Sequence, residues 1–129
     1  MSNAEIVQSF YDRVGSGDLP GGLELVAPDA TWAEMESFAP AGVYVGPDAV
    51  RDEIFARIGA EWSPFGLAVD GVLEQGETVV GIGTYSGTSK ETGKAFEARV
   101  VHVFRVRDGK IVAFEQFTDT LAIAAAKEA

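Results

Sequence analysis

The stretch that decides the fold is FEARVVHVFRVRDGKIVAFEQFT, residues 96–118. Apolar and polar side chains alternate on both sides of Asp108-Gly109, a period of two that is typical of β-strands. An Asp-Gly pair between two such runs favours a tight hairpin, because both central positions of that turn need a positive φ. The sequence therefore predicts an antiparallel hairpin formed by strands 96–107 and 110–118.

The remaining chain divides into an N-terminal helical part and a C-terminal part made of strands. Ser2 and Glu5 have the spacing of a helix-capping box, and the apolar residues that follow them recur at helical spacing up to Gly15. A short second helix is expected near Asp18, and a third from Gly46 to Pro64. The other predicted elements are strands 31–36, 67–73 and 78–88, a loop 37–46 and a terminal helix 121–127.

Composition excludes several classes of protein. The chain has 129 residues, a formal net charge of −10, one histidine and no cysteine. We expect one domain, 1–129, with no disulfide, no structural zinc and no nucleic-acid partner, because the overall field repels polyanions. No glycine-rich phosphate loop is present, so no cofactor is expected. Without a long apolar run or a signal-peptide pattern, the predicted location is cytoplasmic, with no membrane contact.

Helices followed by hairpin-linked strands predict an α+β domain, with the helices on one face of a mostly antiparallel sheet that encloses a pocket. Three segments, DATWAE (29–34), GPDAV (46–50) and HVFRVRDGKI (102–111), occur in this order. Together they resemble the nuclear transport factor 2-like superfamily, in its SnoaL-like and ketosteroid isomerase-related branch. The resemblance covers the whole chain. It implies a cone-shaped half-barrel with a deep pocket and a homodimer formed through the outer face of the sheet.

Glu34 is the first candidate catalytic residue. Alternation along its strand places it on one face with Trp32 and Glu36. The resemblance to ketosteroid isomerases implies that Glu34 is the general base, a role that suits a carboxylate whose pKa is raised by burial. The alternative is an ordinary solvent-facing carboxylate.

His102 is the second candidate catalytic residue, on the apolar face of its strand. The resemblance aligns it with the acid of the isomerase oxyanion hole, so it would donate a hydrogen bond or act as a base; the alternative is a core histidine. The tyrosine of that oxyanion hole aligns with Phe10, which cannot donate, and this disfavours steroid isomerisation. Tyr11 follows, but it points about 100° away around the helix.

The last strand adds the third candidate catalytic residue. The acid/base aspartate of SnoaL-like cyclases aligns with Gln116, or with Asp119 if the strand end shifts. Asp119 could instead cap the terminal helix. Tyr85 follows Gly81 and Gly83 in alternation, so it could reach a ligand above the sheet or simply pack there. The predicted ligand-binding residues are Trp32, Tyr44, Trp62, Tyr85, Phe104 and Gln116.

Two functions remain open from the sequence. The first is a cofactor-free acid–base enzyme of isomerase, cyclase or dehydratase type, acting on a small hydrophobic carbonyl compound. The second is a binding protein that holds a small hydrophobic molecule in the same pocket without turning it over. Epoxide hydrolysis is disfavoured, because alternation turns Arg99 outward, away from the pocket.

Overall fold

The structure is a computed structural model that describes residues 1–35 and 41–129. The helices are α1 (Asn3–Gly15), α2 (Leu19–Leu23), α3 (Pro47–Ala49), α4 (Ala56–Glu61) and α5 (Thr120–Ala125), and a π-helical stretch (Val50–Phe55) joins α3 to α4. The strands are β1 (Val26–Glu34), β2 (Gly42–Val45), β3 (Trp62–Gln75), β4 (Thr78–Ser89), β5 (Ala95–Arg107) and β6 (Lys110–Thr118).

The six strands form one curved, unclosed sheet in the order β2-β1-β6-β5-β4-β3. All neighbours are antiparallel except β1 and β6, which run parallel. The predicted β5–β6 hairpin is confirmed at the centre of the sheet, where Asp108 and Gly109 have φ values of 51° and 75°. The α+β prediction is confirmed, since the helices pack against this mostly antiparallel sheet.

Local signals at the helix starts are confirmed as well. The Ser2 side chain accepts from the Glu5 backbone N–H at 3.1 Å, and the Glu5 carboxylate accepts from the Ser2 backbone N–H at 2.9 Å. Asp18 caps α2 by accepting from the Gly21 backbone N–H. The third helical segment begins at Pro47 as predicted but contains the π-helical stretch, which buries Val50 and Ile54.

Three strand predictions need correction. The first strand begins at Val26 rather than at residue 31, because its early residues pair with β6. Gly42–Val45, predicted as part of a loop, pairs with β1 as an edge strand. The strand predicted at 67–73 begins at Trp62, so the third helix ends before Pro64. Glu36 and the first part of the predicted loop, 37–40, lie outside the described residues.

Two apolar clusters form the core between the helices and the inner face of the sheet. The larger contains the apolar face of α1 and the strand residues Trp32, Phe104 and Phe114. In it the rings of Trp32 and Phe114 stack with centroids 4.1 Å apart. The smaller lies beside α5 and contains Trp62, Tyr85 and Phe96. Residues of both clusters border one cavity, so the packing that stabilises the fold also shapes the site. Among the described helices, none is long and apolar enough to span a membrane.

Candidate active site

A cavity of about 650 Å³ opens between the helices and the inner face of the sheet. This volume is in the range of small-molecule sites. Its described lining contains one carboxyl group, Glu34, and one imidazole, His102, and neither lysine nor arginine. The remaining walls are mainly aromatic: Phe10, Tyr11, Trp32, Phe55, Trp62, Phe65, Tyr85 and Phe114. The cavity therefore suits a largely apolar ligand that engages a few polar groups.

Glu34 is placed at the end of β1 with its side chain directed into this apolar surrounding. The residue is only 8% exposed. Within the described residues, its Oε2 atom has no hydrogen-bond partner. Burial raises the pKa of its carboxyl group to about 8, and a hydrogen bond with the Trp32 side chain acts in the opposite direction. Near neutral pH this carboxyl group can both hold and release a proton, which is what a general acid–base group needs.

His102 lies on β5 between two tyrosine hydroxyl groups. Its Nδ1 atom is 2.8 Å from the Tyr11 hydroxyl oxygen, and its Nε2 atom is 2.6 Å from the Tyr85 hydroxyl oxygen. Burial lowers the pKa of the imidazole to about 3, so the ring is neutral at physiological pH. Both ring nitrogens are engaged, so the ring orients its neighbours and is poorly placed to act as a base. Its predicted position on the inner face is confirmed.

Tyr11 is a cavity residue that the sequence analysis did not assign to the site. Phe10, aligned with the isomerase tyrosine, packs its ring against Trp32 and Phe104 at centroid distances of 5.6 and 6.1 Å. Tyr11 borders the cavity as well, and burial raises the pKa of its hydroxyl group, so the proton stays on the oxygen. The offset of about 100° between Tyr11 and Phe10 around the helix therefore does not keep Tyr11 out of the cavity. The available signal was Gly81, whose missing side chain leaves room for the Tyr11 hydroxyl beside His102.

Gln116 connects the end of β1 to Tyr85 from behind the cavity wall. Its Oε1 atom accepts from the Met35 backbone N–H at 3.3 Å, and its Nε2 atom donates to the Tyr85 hydroxyl oxygen at 3.0 Å. Gln116 is buried and does not border the cavity. The predicted ligand-binding residue Gln116 is therefore separated from the cavity and bonds to Tyr85, which does line it. The pKa of Tyr85 is raised mainly by burial and further by the Glu34 charge.

Three of the predicted site residues lie elsewhere. Asp119 is exposed and caps α5 by accepting from the Ala122 backbone N–H at 3.1 Å, so the capping alternative describes it and the catalytic assignment is corrected. Tyr44 lies on the edge strand β2, and its hydroxyl donates to the Ala41 carbonyl oxygen. Phe104 is fully buried in the core behind His102. Trp32, Trp62 and Tyr85 do line the cavity.

The described residues of the site are poorly suited to bind a metal ion. Within residues 1–35 and 41–129, no group of three or more histidine, aspartate or glutamate side chains is arranged to hold one. Glu34 stands among aromatic rings, and His102 already uses both ring nitrogens. The arrangement is suited to proton transfer and hydrogen bonding with an organic ligand.

The fold and the pocket define a nuclear transport factor 2-like protein, and solved structures agree. The chain is 42% identical to an NTF2-like protein from Burkholderia thailandensis E264, with a TM-score of 0.98 over 100% of this chain and 99% of that one. An NTF2-like protein of unknown function from Burkholderia pseudomallei K96243 shares 32% identity, with a TM-score of 0.90 over 100% of both chains. The structure of TerC co-crystallised with polyporic acid shares 28% identity, with a TM-score of 0.88 over 98% of both chains.

The SnoaL-like domain family matches residues 7–114, and the chain belongs to that family. No curated protein matches the sequence. The resemblance stated from three short segments is therefore confirmed for the family and the fold. The activity is a separate question, because this fold carries many functions.

Proposed function

We propose that the protein is a cofactor-free acid–base enzyme of isomerase, cyclase or dehydratase type that acts on a small hydrophobic carbonyl compound. One observation carries this proposal: Glu34, whose buried carboxyl group has an oxygen without a hydrogen-bond partner among the described residues, borders the same aromatic cavity as Tyr11. A base and a hydrogen-bond donor in one cavity are the two groups that enolisation requires.

In the proposed reaction, the Glu34 carboxylate removes a proton from the carbon next to the substrate carbonyl. The electrons of the broken C–H bond move to the carbonyl oxygen, where Tyr11 donates a hydrogen bond to the enolate. Glu34 then returns the proton to another carbon of the conjugated system. In the cyclisation alternative, the enolate carbon attacks a second carbonyl carbon of the same molecule, the electrons of that C=O π bond move to its oxygen, and Glu34 gives its proton to the alkoxide so formed. His102 holds the Tyr11 oxygen at 2.8 Å and remains neutral throughout.

Proton exchange in heavy water, followed by NMR, tests this proposal across a panel of cyclic enones and β-keto compounds. We expect the wild-type protein to exchange the acidic carbon-bound protons of at least one compound, at a rate that rises with pH and levels off above about 8, where Glu34 is ionised. Glu34→Gln should reduce the rate by about 100-fold or more, the usual contribution of general acid–base catalysis.

Glu115→Gln is the matched control, because Glu115 is an exposed glutamate on β6 paired with Ala33 of β1. It should leave the exchange rate unchanged. Exchange that survives in Glu34→Gln, or absence of exchange with the whole panel, would contradict the proposed base.

A non-catalytic binding protein is the second candidate function. The supporting observation is that both His102 nitrogens are already bonded within the protein, which leaves Glu34 as the sole residue here proposed as a base. The related protein TerC was co-crystallised with polyporic acid, which supports small-molecule binding in this family. Ligand-induced thermal stabilisation that persists in Glu34→Gln, without turnover by the wild type, would favour this function.

We also propose a homodimer that forms through the outer face of the sheet. Val101 and Val103 are half-buried on that face, and Phe117 on the neighbouring strand is 45% exposed. Analytical ultracentrifugation of the wild type and of Val103→Glu tests this: the wild type should sediment as a dimer and the variant as a monomer. The single-domain organisation of 1–129 and the cytoplasmic location remain predictions.

A further inference from the structure

A chain of hydrogen bonds runs from the end of β1 to the cavity. Its first bond fixes the orientation of the Gln116 side-chain amide. The Met35 backbone N–H can only donate, and it meets Oε1 of Gln116 at 3.3 Å. The amide oxygen of Gln116 is therefore the atom that faces Met35. The NH2 group then faces Tyr85, and it donates to the hydroxyl oxygen at 3.0 Å.

The orientation of Gln116 also determines which atoms donate and which accept in the next two hydrogen bonds. A hydroxyl oxygen that accepts a hydrogen bond is polarised and becomes a better donor. Tyr85 is therefore biased to donate to Nε2 of His102, which lies 2.6 Å away. A neutral imidazole has one N–H and one acceptor nitrogen, so acceptance at Nε2 places the proton on Nδ1. Nδ1–H then donates to the Tyr11 oxygen, and the Tyr11 proton is directed away from His102, towards the cavity.

We propose that Gln116 is a positioning residue that selects the Nδ1–H tautomer of His102 and thereby makes the cavity present a hydrogen-bond donor at Tyr11. The ligand class that fits is a neutral, largely apolar molecule with an acceptor oxygen, such as a ketone or an enone. Gln116 acts through Tyr85 and His102 and touches no ligand. The catalytic consequence rests on the proposed function, whereas the tautomer does not.

The single histidine makes the tautomer directly measurable. In protein labelled with ¹⁵N-histidine, long-range ¹H–¹⁵N NMR spectra distinguish a protonated from an unprotonated ring nitrogen. We expect the wild type to show the Nδ1–H form as the main species. A wild-type spectrum dominated by Nε2–H would overturn the proposal without any variant.

Three variants identify which residue sets the tautomer. Gln116→Met removes both amide bonds at similar size, and the Nε2–H population should rise. Tyr11→Phe removes the opposite partner but keeps the Gln116–Tyr85 bond, so Nδ1–H should persist. Thr118→Val is the control and should change nothing: Thr118 lies on β6 like Gln116, and the variant removes only a side-chain bond to the Arg99 carbonyl oxygen of β5. If Tyr11→Phe inverts the tautomer while Gln116→Met does not, Gln116 is not the positioning residue.

A binding experiment tests the consequence for the ligand. The probes are a cyclic enone and its analogue in which a methylene group replaces the carbonyl oxygen. In the wild type we expect the enone to bind about three- to tenfold more tightly, the usual effect of one hydrogen bond. Gln116→Met should reduce this ratio, and equal ratios in the two proteins would overturn the inference. If the wild type shows the Nδ1–H tautomer but no proton exchange with any compound of the panel, the proposed function is contradicted and the tautomer assignment stands.

Discussion

The Tyr11 hydroxyl occupies the space that a side chain at Gly81 would fill. A Cβ atom at Gly81 would collide with the Tyr11 hydroxyl oxygen and lie 2.9 Å from the ring carbon that bears it. Gly81 is also the cross-strand partner of His102 on β5. One glycine therefore allows a helix residue to reach a histidine 91 positions along the chain.

Gly81→Ala should displace the Tyr11 ring and break its bond to His102. We expect proton exchange to fall to the level of Tyr11→Phe, and the free energy of unfolding to fall by about 1–3 kcal/mol, because a buried ring nitrogen loses its partner. Gly71→Ala is the matched control, since a Cβ atom there meets open space. Exchange kinetics and urea unfolding measure both effects. Equal exchange rates in the two variants would contradict this role of Gly81.

Glu34 should make the folded state less stable as the pH rises. The folded protein keeps the Glu34 proton up to about pH 8, whereas the ordinary pKa of the group is 4.5. Between these values the folded state binds more protons, so the free energy of unfolding falls with rising pH, by at most about 1.4 kcal/mol per pH unit. Glu34→Gln removes this contribution. The free energies of unfolding of the wild type and of Glu34→Gln are measured with urea between roughly pH 6.5 and pH 8.5, which covers the upper part of this range. The difference in favour of the variant should grow with pH. An equal pH dependence in the two proteins would contradict the raised pKa of Glu34.

His102 should act in the opposite direction at lower pH. Its folded pKa of about 3 lies below the ordinary value of 6.5, so in this window the unfolded chain binds more protons. Stability is therefore lost as the pH falls from 6.5 towards 3. His102→Gln should flatten this loss in urea unfolding. The imidazole NMR signals of the wild type should not titrate between roughly pH 5 and pH 7.5, because this range begins about two units above the folded pKa. A titration midpoint near the ordinary pKa of 6.5 would contradict the neutral buried ring.

Asp119→Ala separates capping from catalysis. Loss of the bond to the Ala122 backbone N–H should reduce the free energy of unfolding by about 1 kcal/mol, a typical value for an N-cap. The exchange rate should stay at the wild-type level because Asp119 is exposed and does not border the cavity. Thermal unfolding and the exchange assay measure the two effects. A loss of exchange at unchanged stability would restore the catalytic assignment.

Features that depend on neighbouring residues were predictable from the sequence. The Asp108-Gly109 turn and the Ser2–Glu5 capping box follow from local backbone geometry, and both occur as predicted. Strand alternation alone placed His102 on the inner face, whereas for Glu34 it gave only the face shared with Trp32, and the family resemblance supplied the position in the pocket. These residues border the cavity as expected.

Features that depend on distant pairing were not predictable in this way. The parallel pairing of β1 with β6 lengthens β1 at its start. No local sequence pattern near Val26 indicates this pairing. Tyr11 and Phe10 both lie on the buried side of α1, so helix periodicity alone does not determine which of them reaches His102. The packing of α1 against the sheet and the gap at Gly81 determine it.

The absence of lysine and arginine from the described cavity lining has a consequence for selectivity. A metabolite that arrived as an anion would lose its water in the cavity without gaining a positive partner, and an ionised Glu34 would repel it. We therefore expect the protein to discriminate among molecules by electric charge before it discriminates by shape. In the proposed reaction, negative charge arises on a ligand oxygen only after entry and is neutralised before release.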